Sequence, residues 1–238
     1  MKAYLEDSNQ IMPGVVEFRF QPEQKIRFDA GQFIAVTIPH SNMDDRGDMR
    51  EFSISSAPDD ACIEITASYV SKKSSTYKSA LLQLKRGDIV YLGEPMGDFV
   101  LPKDSSIPLI FVGAGIGVTP YKSIVKWLKS RGERRDIRLI YSASTPAGFL
   151  YEQLWRDYGV DYIRMLTRYS DGWNGLSGRL TPARIIKLAN SFAAERQSSQ
   201  NGLIYLAGPQ SLIEPLFDGL LAAGIPRSQL LLDYFPGY

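Results

Sequence analysis

The sequence predicts a two-domain fold: an N-terminal antiparallel β-barrel, then a C-terminal α/β domain with a parallel sheet and helices on both faces. Three observations carry that expectation. Up to about Leu101 the chain reads as short alternating or β-branched runs punctuated by Gly, Pro, Asp and Asn, the grammar of a small barrel. From about Ile107 apolar strand-like runs alternate with helix-like ones, as a parallel sheet with crossover helices requires. Between the two lies "LPKDSSIP", residues 101–108, which reads as a linker. The expected domains are therefore 1–103 and 104–238.

In the first half the expected strands are "GVVEFRFQP", "IRFDAGQFIAVTIP", "REFSISSAP", "CIEITASYV" and "DIVYLGEP". A short helix interrupts them at "SSTYKSALLQLKRGD", where hydroxyls precede the apolar residues and Gly87 follows. The second half opens with "IPLIFVGAG", a continuous apolar run suited to a strand buried on both faces. It leads into "TPYKSIVKWLKSRG", where Ile124, Val125 and Leu128 recur at helical spacing and Gly132 ends the pattern. Then come "DIRLIYSAS", helix-like "YEQLWRDYG", "DYIRMLT", helix-like "TPARIIKLAN", "GLIYLAGP", "SLIEPLFDGLLAAG" and "QLLLDYF".

Composition excludes several function classes. The 238 residues are 44% hydrophobic and 22% charged, a globular profile. Lys and Arg number 27 against 26 Asp and Glu, without the basic excess of a nucleic-acid protein. The single cysteine, Cys62, can form neither an internal disulfide nor an iron–sulfur cluster on its own. It reads as a small core residue rather than a nucleophile. A single histidine, His40 in a polar loop, leaves little material for a metal site or a histidine triad. The first residues, "MKAYLEDSNQ", lack a signal-peptide core, and no apolar run approaches about 18 residues. The expected location is cytoplasmic, without a membrane span.

"VGAGIGVTP" joins the first parallel strand to its helix. Gly113, Gly115 and Gly117 remove side chains where the chain must turn and approach a ligand. Thr119 and Pro120 suit N-cap and first helical position, leaving free amides at the positive end of the helix dipole. A pyrophosphate suits that place; a tight turn with no ligand is the alternative. The last glycine of the G-x-G-x-x-G fingerprint is here Pro120, and no acidic residue closes the next strand, "LIYSAS". A nucleotide would therefore bind otherwise than in the usual NAD dehydrogenases.

Taken together, a barrel, a strand–"GAGIGVTP"–helix unit and a late "AGP" resemble the ferredoxin–NADP reductase family of flavoproteins over nearly the whole chain. "REFS" at 50–53 resembles its Arg-x-Tyr/Phe-Ser flavin motif, "GEPMGDFVLP" at 93–102 its Gly-Pro-x-Gly-x-Phe segment, and "YLAGP" at 205–209 its Cys/Ala-Gly-Pro loop. The resemblance implies that Arg50 pairs with the flavin pyrophosphate, Phe52 packs on the isoalloxazine and Ser53 bonds flavin N5. The chemistry suits them: a guanidinium fork matches phosphate, a flat ring excludes water, and a hydroxyl both donates and accepts. Without the resemblance, the same stretch is an edge strand with hydroxyls toward water.

The helix start "SSTYK" matches the family's phosphate-binding Gly-x-x-Ser only in part, with Ser75 and Lys78 in those two places; Thr76, Lys78 and amide donors are the candidate phosphate contacts. The resemblance also implies that Gly208 and Pro209, in the Cys/Ala-Gly-Pro loop, are cofactor-binding residues. Thr167 and Arg168 fall where NADP-using relatives carry Ser-Arg, with Ser142 or Ser144 as added hydroxyls, which leans to NADPH over NADH; a solvated Arg168 is the alternative. In the tail "DYFPGY", Asp233 stands where relatives place a catalytic carboxylate, and Phe235 or Tyr238 where an aromatic covers the flavin. Ala207 replaces the thiol of many relatives. The implied function is hydride passage between NAD(P)H and FAD, then electron release to a one-electron carrier such as ferredoxin or flavodoxin. A non-catalytic flavin-binding electron-transfer subunit and a flavin-free nucleotide-binding module are the alternatives.

Overall fold

Two six-stranded sheets share the chain in the computed structural model, which describes residues 1–69, 75–168, 171–197 and 202–234. The first holds β1 (Lys2–Met12), β2 (Val15–Pro22), β3 (Phe33–Thr37), β4 (Met49–Ser53), β5 (Ile63–Ser68) and β6 (Ile89–Leu92). All pairs are antiparallel, in the order β4-β3-β6-β1-β2-β5. Just beyond β4 the Ser55 N–H donates to Glu64 O of β5 at 2.8 Å. That bond brings the two edge strands together and curls the sheet into the expected barrel. Helix α1 (Thr76–Gln83) covers its interior.

Period two decides which side chains fill the barrel. Val16, Phe18 and Phe20 of β2 point inward with Ile63, Ile65 and Ala67 of β5, and with Tyr77 and Leu81 of α1. The alternate residues Val15 and Glu17 face the other half of the molecule. Two features depart from expectation. Strand β1, central in the sheet, was not among the expected strands, because its far half is exposed and polar and its pairing with β2 shifts register twice. "IRFDAGQFIAVTIP" is strand only from Phe33, since a turn that bonds Gln32 N–H to Asp29 O interrupts it.

The second sheet holds β7 (Leu109–Ala114), β8 (Ile137–Ala143), β9 (Asp161–Leu166), β10 (Leu176–Ser177), β11 (Leu203–Ala207) and β12 (Leu230–Asp233), all parallel, in the order β10-β9-β8-β7-β11-β12. Helices α2 (Thr119–Ser130) and α3 (Glu152–Tyr158) cover one face, packed on Leu109, Phe111 and Leu139. Helices α4 (Pro182–Glu195) and α5 (Gln210–Ala222) cover the other, packed on Ile110, Val112 and Ile140. Burial on both faces is why β7 and β11 read as unbroken apolar runs. The two-residue β10 was not among the expected strands.

Chain order reverses between β7 and β11, which opens a crevice beyond their carboxyl ends, where α/β sheets bind ligands. Val15, Ala30 and Phe99 from the first half pack with Leu109, Tyr121 and Ile124 from the second. Val15, Phe99, Leu109 and Ile124 each contribute about 1.5–3 kcal/mol on burial, so the contact between halves is part of the core.

Candidate functional site

Beyond β7 the chain winds directly into a 3₁₀ turn, Gly115–Val118, that continues as α2. The three glycines have different causes. Gly115 adopts φ +56 with open space where a Cβ would lie, a left-handed conformation that a side chain resists. A Cβ at Gly117 would lie 2.4 Å from Gly208 Cα and 2.6 Å from Ala207 O. Here the loops after β7 and β11 touch backbone to backbone. Gly113, still on β7, leaves room for Val118, whose Cγ1 would be 2.6 Å from an added Cβ.

Thr119 is not the N-cap. Its backbone is already helical and its hydroxyl donates back to Ile116 O, so the free amides at this helix end belong to the 3₁₀ turn. Pro120, next in line, sits in the first turn of α2. Two tyrosines missed by sequence reasoning brace the loop. The Tyr121 hydroxyl, fully buried, lies 2.8 Å from Val112 O and 2.9 Å from Tyr205 O, beneath the switch point. The Tyr141 hydroxyl donates to Gly115 O at 2.8 Å and accepts from Leu150 N–H at 3.1 Å. Burial pushes both phenols above their ordinary pKa, so they remain neutral donors.

At the end of β11, Gly208 N–H donates to Asp233 O at 3.3 Å, and Pro209 leads into α5. The Asp233 side chain reaches across to the barrel. Ser53 Oγ donates to its Oδ2 at 2.6 Å, with both residues buried. Two residues 180 positions apart, each singled out in the sequence, thus meet where the two sheets face each other. Burial pushes the Asp233 carboxyl up to about 6, against the opposing pull of the Ser53 hydroxyl. A carboxyl in that range can hold or release a proton near neutrality.

Alternation along β4 sends Arg50 and Phe52 the other way, toward α1. The Phe52 ring lies 6.1 Å from the Tyr77 ring, and the Arg50 guanidinium lies 5.1 Å from the same ring centre. Tyr77 is fully buried and donates to Val36 O at 2.9 Å. Arg50 also donates to the carbonyls of Arg46, at 2.8 Å, and Met49, at 2.5 Å. Ser75 is the N-cap of α1, accepting from Lys78 N–H at 3.2 Å. Thr76 is joined to Asp44 twice: Thr76 N–H donates to Asp44 Oδ2 at 3.2 Å, and Asp44 N–H donates to Thr76 Oγ1 at 3.1 Å. Arg46 pairs with the same carboxylate at 2.6 Å and holds it well below the usual range.

Lys78 is pushed below its ordinary value by burial and by the nearby Arg50 and Arg46. Three cations crowded at a helix N-terminus form a donor set suited to a phosphate anion. The carboxylate of Asp44 now takes one of the amides such an anion would use. Nothing in the sequence pointed to Asp44, which lies over thirty residues from α1 and is joined to it only by folding.

Of the remaining candidates, Thr167 N–H extends the ladder by donating to Ala143 O at 3.0 Å, and Arg168 beside it is exposed. Ser142 is buried in β8 and Ser144 exposed just after it. Ala207 ends β11 fully buried. Phe235 and Tyr238 lie outside the described residues. Cys62 is buried, accepting from Arg19 at 3.1 Å and donating to Glu6 at 3.2 Å. Among the described residues no cluster of His, Cys, Asp and Glu could hold a metal ion, and no helix is long and apolar enough to cross a membrane.

A glycine loop at the switch point of a doubly wound sheet, joined to a barrel by a serine–carboxyl contact, defines a two-part architecture with a crevice at the junction. Residues 111–216 match the family model of the oxidoreductase NAD-binding domain. The fold is ferredoxin–NADP reductase-like, an antiparallel sheet followed by a parallel α/β domain. A ferredoxin NADP+ reductase from Neisseria gonorrhoeae, solved with bound FAD and NADP, aligns over 98% of each chain with a TM-score of 0.78 and 20% identity. The reductase component of a propane 2-monooxygenase from Mycolicibacterium goodii is 25% identical over 93% of this chain and 63% of its own length. NADH oxidoreductase HCR of Escherichia coli (strain K12) is 30% identical over 65% of this chain and 46% of its own. The chain thus spans about half to two thirds of these curated relatives.

Proposed function

We propose that this chain is an NAD(P)H-dependent flavoprotein reductase, with a flavin-binding domain over 1–103 and a nucleotide-binding domain over 104–238. Arg50, Ser75, Thr76 and Lys78 would hold the phosphates of FAD, with Asp44 leaving the Thr76 amide to make room. Phe52 and Ser53 would face its ring system, and Phe235 or Tyr238 would cover the ring from the tail. Gly113, Gly115, Gly117, Thr119, Pro120, Gly208 and Pro209 would form the nicotinamide-nucleotide crevice. Thr167 and Arg168 would favour NADPH over NADH. Bound flavin would supply two-electron acceptance from the nicotinamide and one-electron release to an acceptor.

The chain's own part is orientation and proton handling. The loops at Gly117 and Gly208 would set the nucleotide's depth, and Ser53 with Asp233 would hold a proton beside the ring. The observation that most supports this is the Ser53–Asp233 hydrogen bond, which sets a titratable carboxyl between the proposed flavin side and the crevice. The acceptor is a one-electron carrier such as ferredoxin or flavodoxin, or an oxygenase component. Relatives named as oxygenase reductase components support a protein acceptor.

The test is an absorbance spectrum of the protein supplied with FAD, followed by stopped-flow mixing with NADPH and NADH. Flavin bands that bleach with either nucleotide, faster with NADPH, are the expected outcome. Retained flavin that neither nucleotide bleaches would leave an electron-transfer subunit, and a colourless protein would leave a nucleotide-binding module.

A further inference from the structure

On the flank of the domain junction lies a buried polar cluster to which the reading above gives no role. Lys122, one turn into α2, donates to Glu17 of β2 and, at 2.5 Å, to Glu64 of β5. The three side chains are only 10%, 15% and 10% exposed. Ser55 Oγ donates to Glu64 Oε1 at 3.1 Å, and Ser123 Oγ donates to Ser56 O at 2.6 Å. Tyr151 completes the cluster. Its hydroxyl lies 2.8 Å from Thr66 Oγ1, and its ring lies 4.6 Å from the Lys122 amine. Tyr151 holds φ +58, a left-handed conformation costly for a tyrosine and maintained only where surrounding contacts over-determine it.

The placement is informative. Lys122 and Ser123 belong to the helix that begins at the glycine loop, and Ser55 and Ser56 follow Ser53 directly. One buried cation therefore ties the nucleotide loop of one half to the Ser53 strand of the other. Apolar contacts alone would hold the halves together, yet they permit sliding; charge-assisted bonds fix direction and distance. A charge withdrawn this far from water is costly unless well paired, and it contributes less to stability than to a particular geometry.

We infer that Lys122 is a positioning residue for hydride transfer: through Glu17 and Glu64 it fixes the nucleotide loop relative to Ser53. The inference rests on the proposed nucleotide and flavin crevice. An error of about 1 Å in such alignment costs about a hundredfold in rate.

Removing the lysine alone strands two carboxylates, so the decisive variant is Lys122→Met with Glu17→Gln and Glu64→Gln, compared with Lys122→Met and the parent. In the triple variant thermal stability should return near that of the parent, while the saturating rate of flavin reduction stays at least about tenfold low. The half-saturating nucleotide concentration should change less than about threefold. Without nucleotide, amide exchange across residues 119–126 should be faster than in the parent. Lys129→Met, on the same helix as Lys122, removes an exposed pair with Asp157 of α3 and should leave the rate unchanged.

A triple variant that reduces flavin within about twofold of the parent rate, or does not fold, overturns the inference. So does a loss confined to half-saturation. If neither nucleotide reduces flavin in the parent, the crevice reading fails instead; the exchange measurement then decides on the tie alone, and unchanged exchange overturns it.

Discussion

Asp233 is 8% exposed, and its carboxyl is pushed from 3.8 up to about 6. A carboxyl whose pKa is higher folded than unfolded is stabilised in its protonated form. Its contribution is complete below about pH 4 and is lost as pH rises through about 6, a loss of about 3 kcal/mol. Asp233→Asn carries no such loss. Melting curves from pH 4 to pH 8 should therefore show the variant level with the parent at the acid end and several degrees above it at pH 8. A gap that does not widen with pH would show that this carboxyl ionises freely in the folded chain. Ser53 and Asp233 were both singled out in the sequence, but only as separate motif positions. Their direct hydrogen bond depends on how the two sheets are docked, which no local pattern encodes.

The N-terminus of α1 is occupied by an acid from the β3–β4 loop, and this shapes a prediction at the level of elements. Asp44 takes the Thr76 amide, with Arg46 balancing its charge. If FAD phosphates use that end of the helix, they compete with a carboxylate already in place. Asp44→Asn removes the charge and one of the two acceptor oxygens, so flavin affinity should rise about three- to tenfold at low salt, with a smaller gain at high salt. Flavin fluorescence quenching in a titration reads this directly; equal affinity at every salt concentration would place the phosphates elsewhere. Elements themselves were legible wherever periodicity was strong: each expected helix is present, and β7, β8 and β11 sit within their apolar runs. Strand β1 was not, because "EDSNQ" faces solvent and gives no alternation. Nor was the winding of "GIGV" into a 3₁₀ turn, which depends on Tyr141 gripping the carbonyl of Gly115.

Across the whole molecule, apolar and polar contacts join the two halves. Val15, Ala30 and Phe99 enter the core of the second half, and the Lys122 cluster and the Ser53–Asp233 bond flank them. The halves should accordingly unfold together. Trp127, Trp155 and Trp173 all belong to the second half, so their fluorescence reports that half, whereas far-ultraviolet circular dichroism reports both. In urea the two signals should share one midpoint. Two midpoints more than about 0.5 M apart would show that the halves are separate folding units. The change of grammar near residue 101 made the division legible, but the coupling was hidden. Glu17 and Glu64 read as solvent-facing members of alternating strands, and only the docked helix turns their outward face into an interior one.

A carbon added at Gly117 would run into the backbone of Gly208, whereas one added at Gly208 would meet Ala114 at ordinary contact distance. For anyone diversifying this crevice, randomising the loop after β7 alone should return glycine at 117 and suggest that the position is indispensable in itself. The constraint is imposed by the facing loop: a library that lengthens that loop while mutating Gly117 explores widths of crevice that stepwise selection never samples.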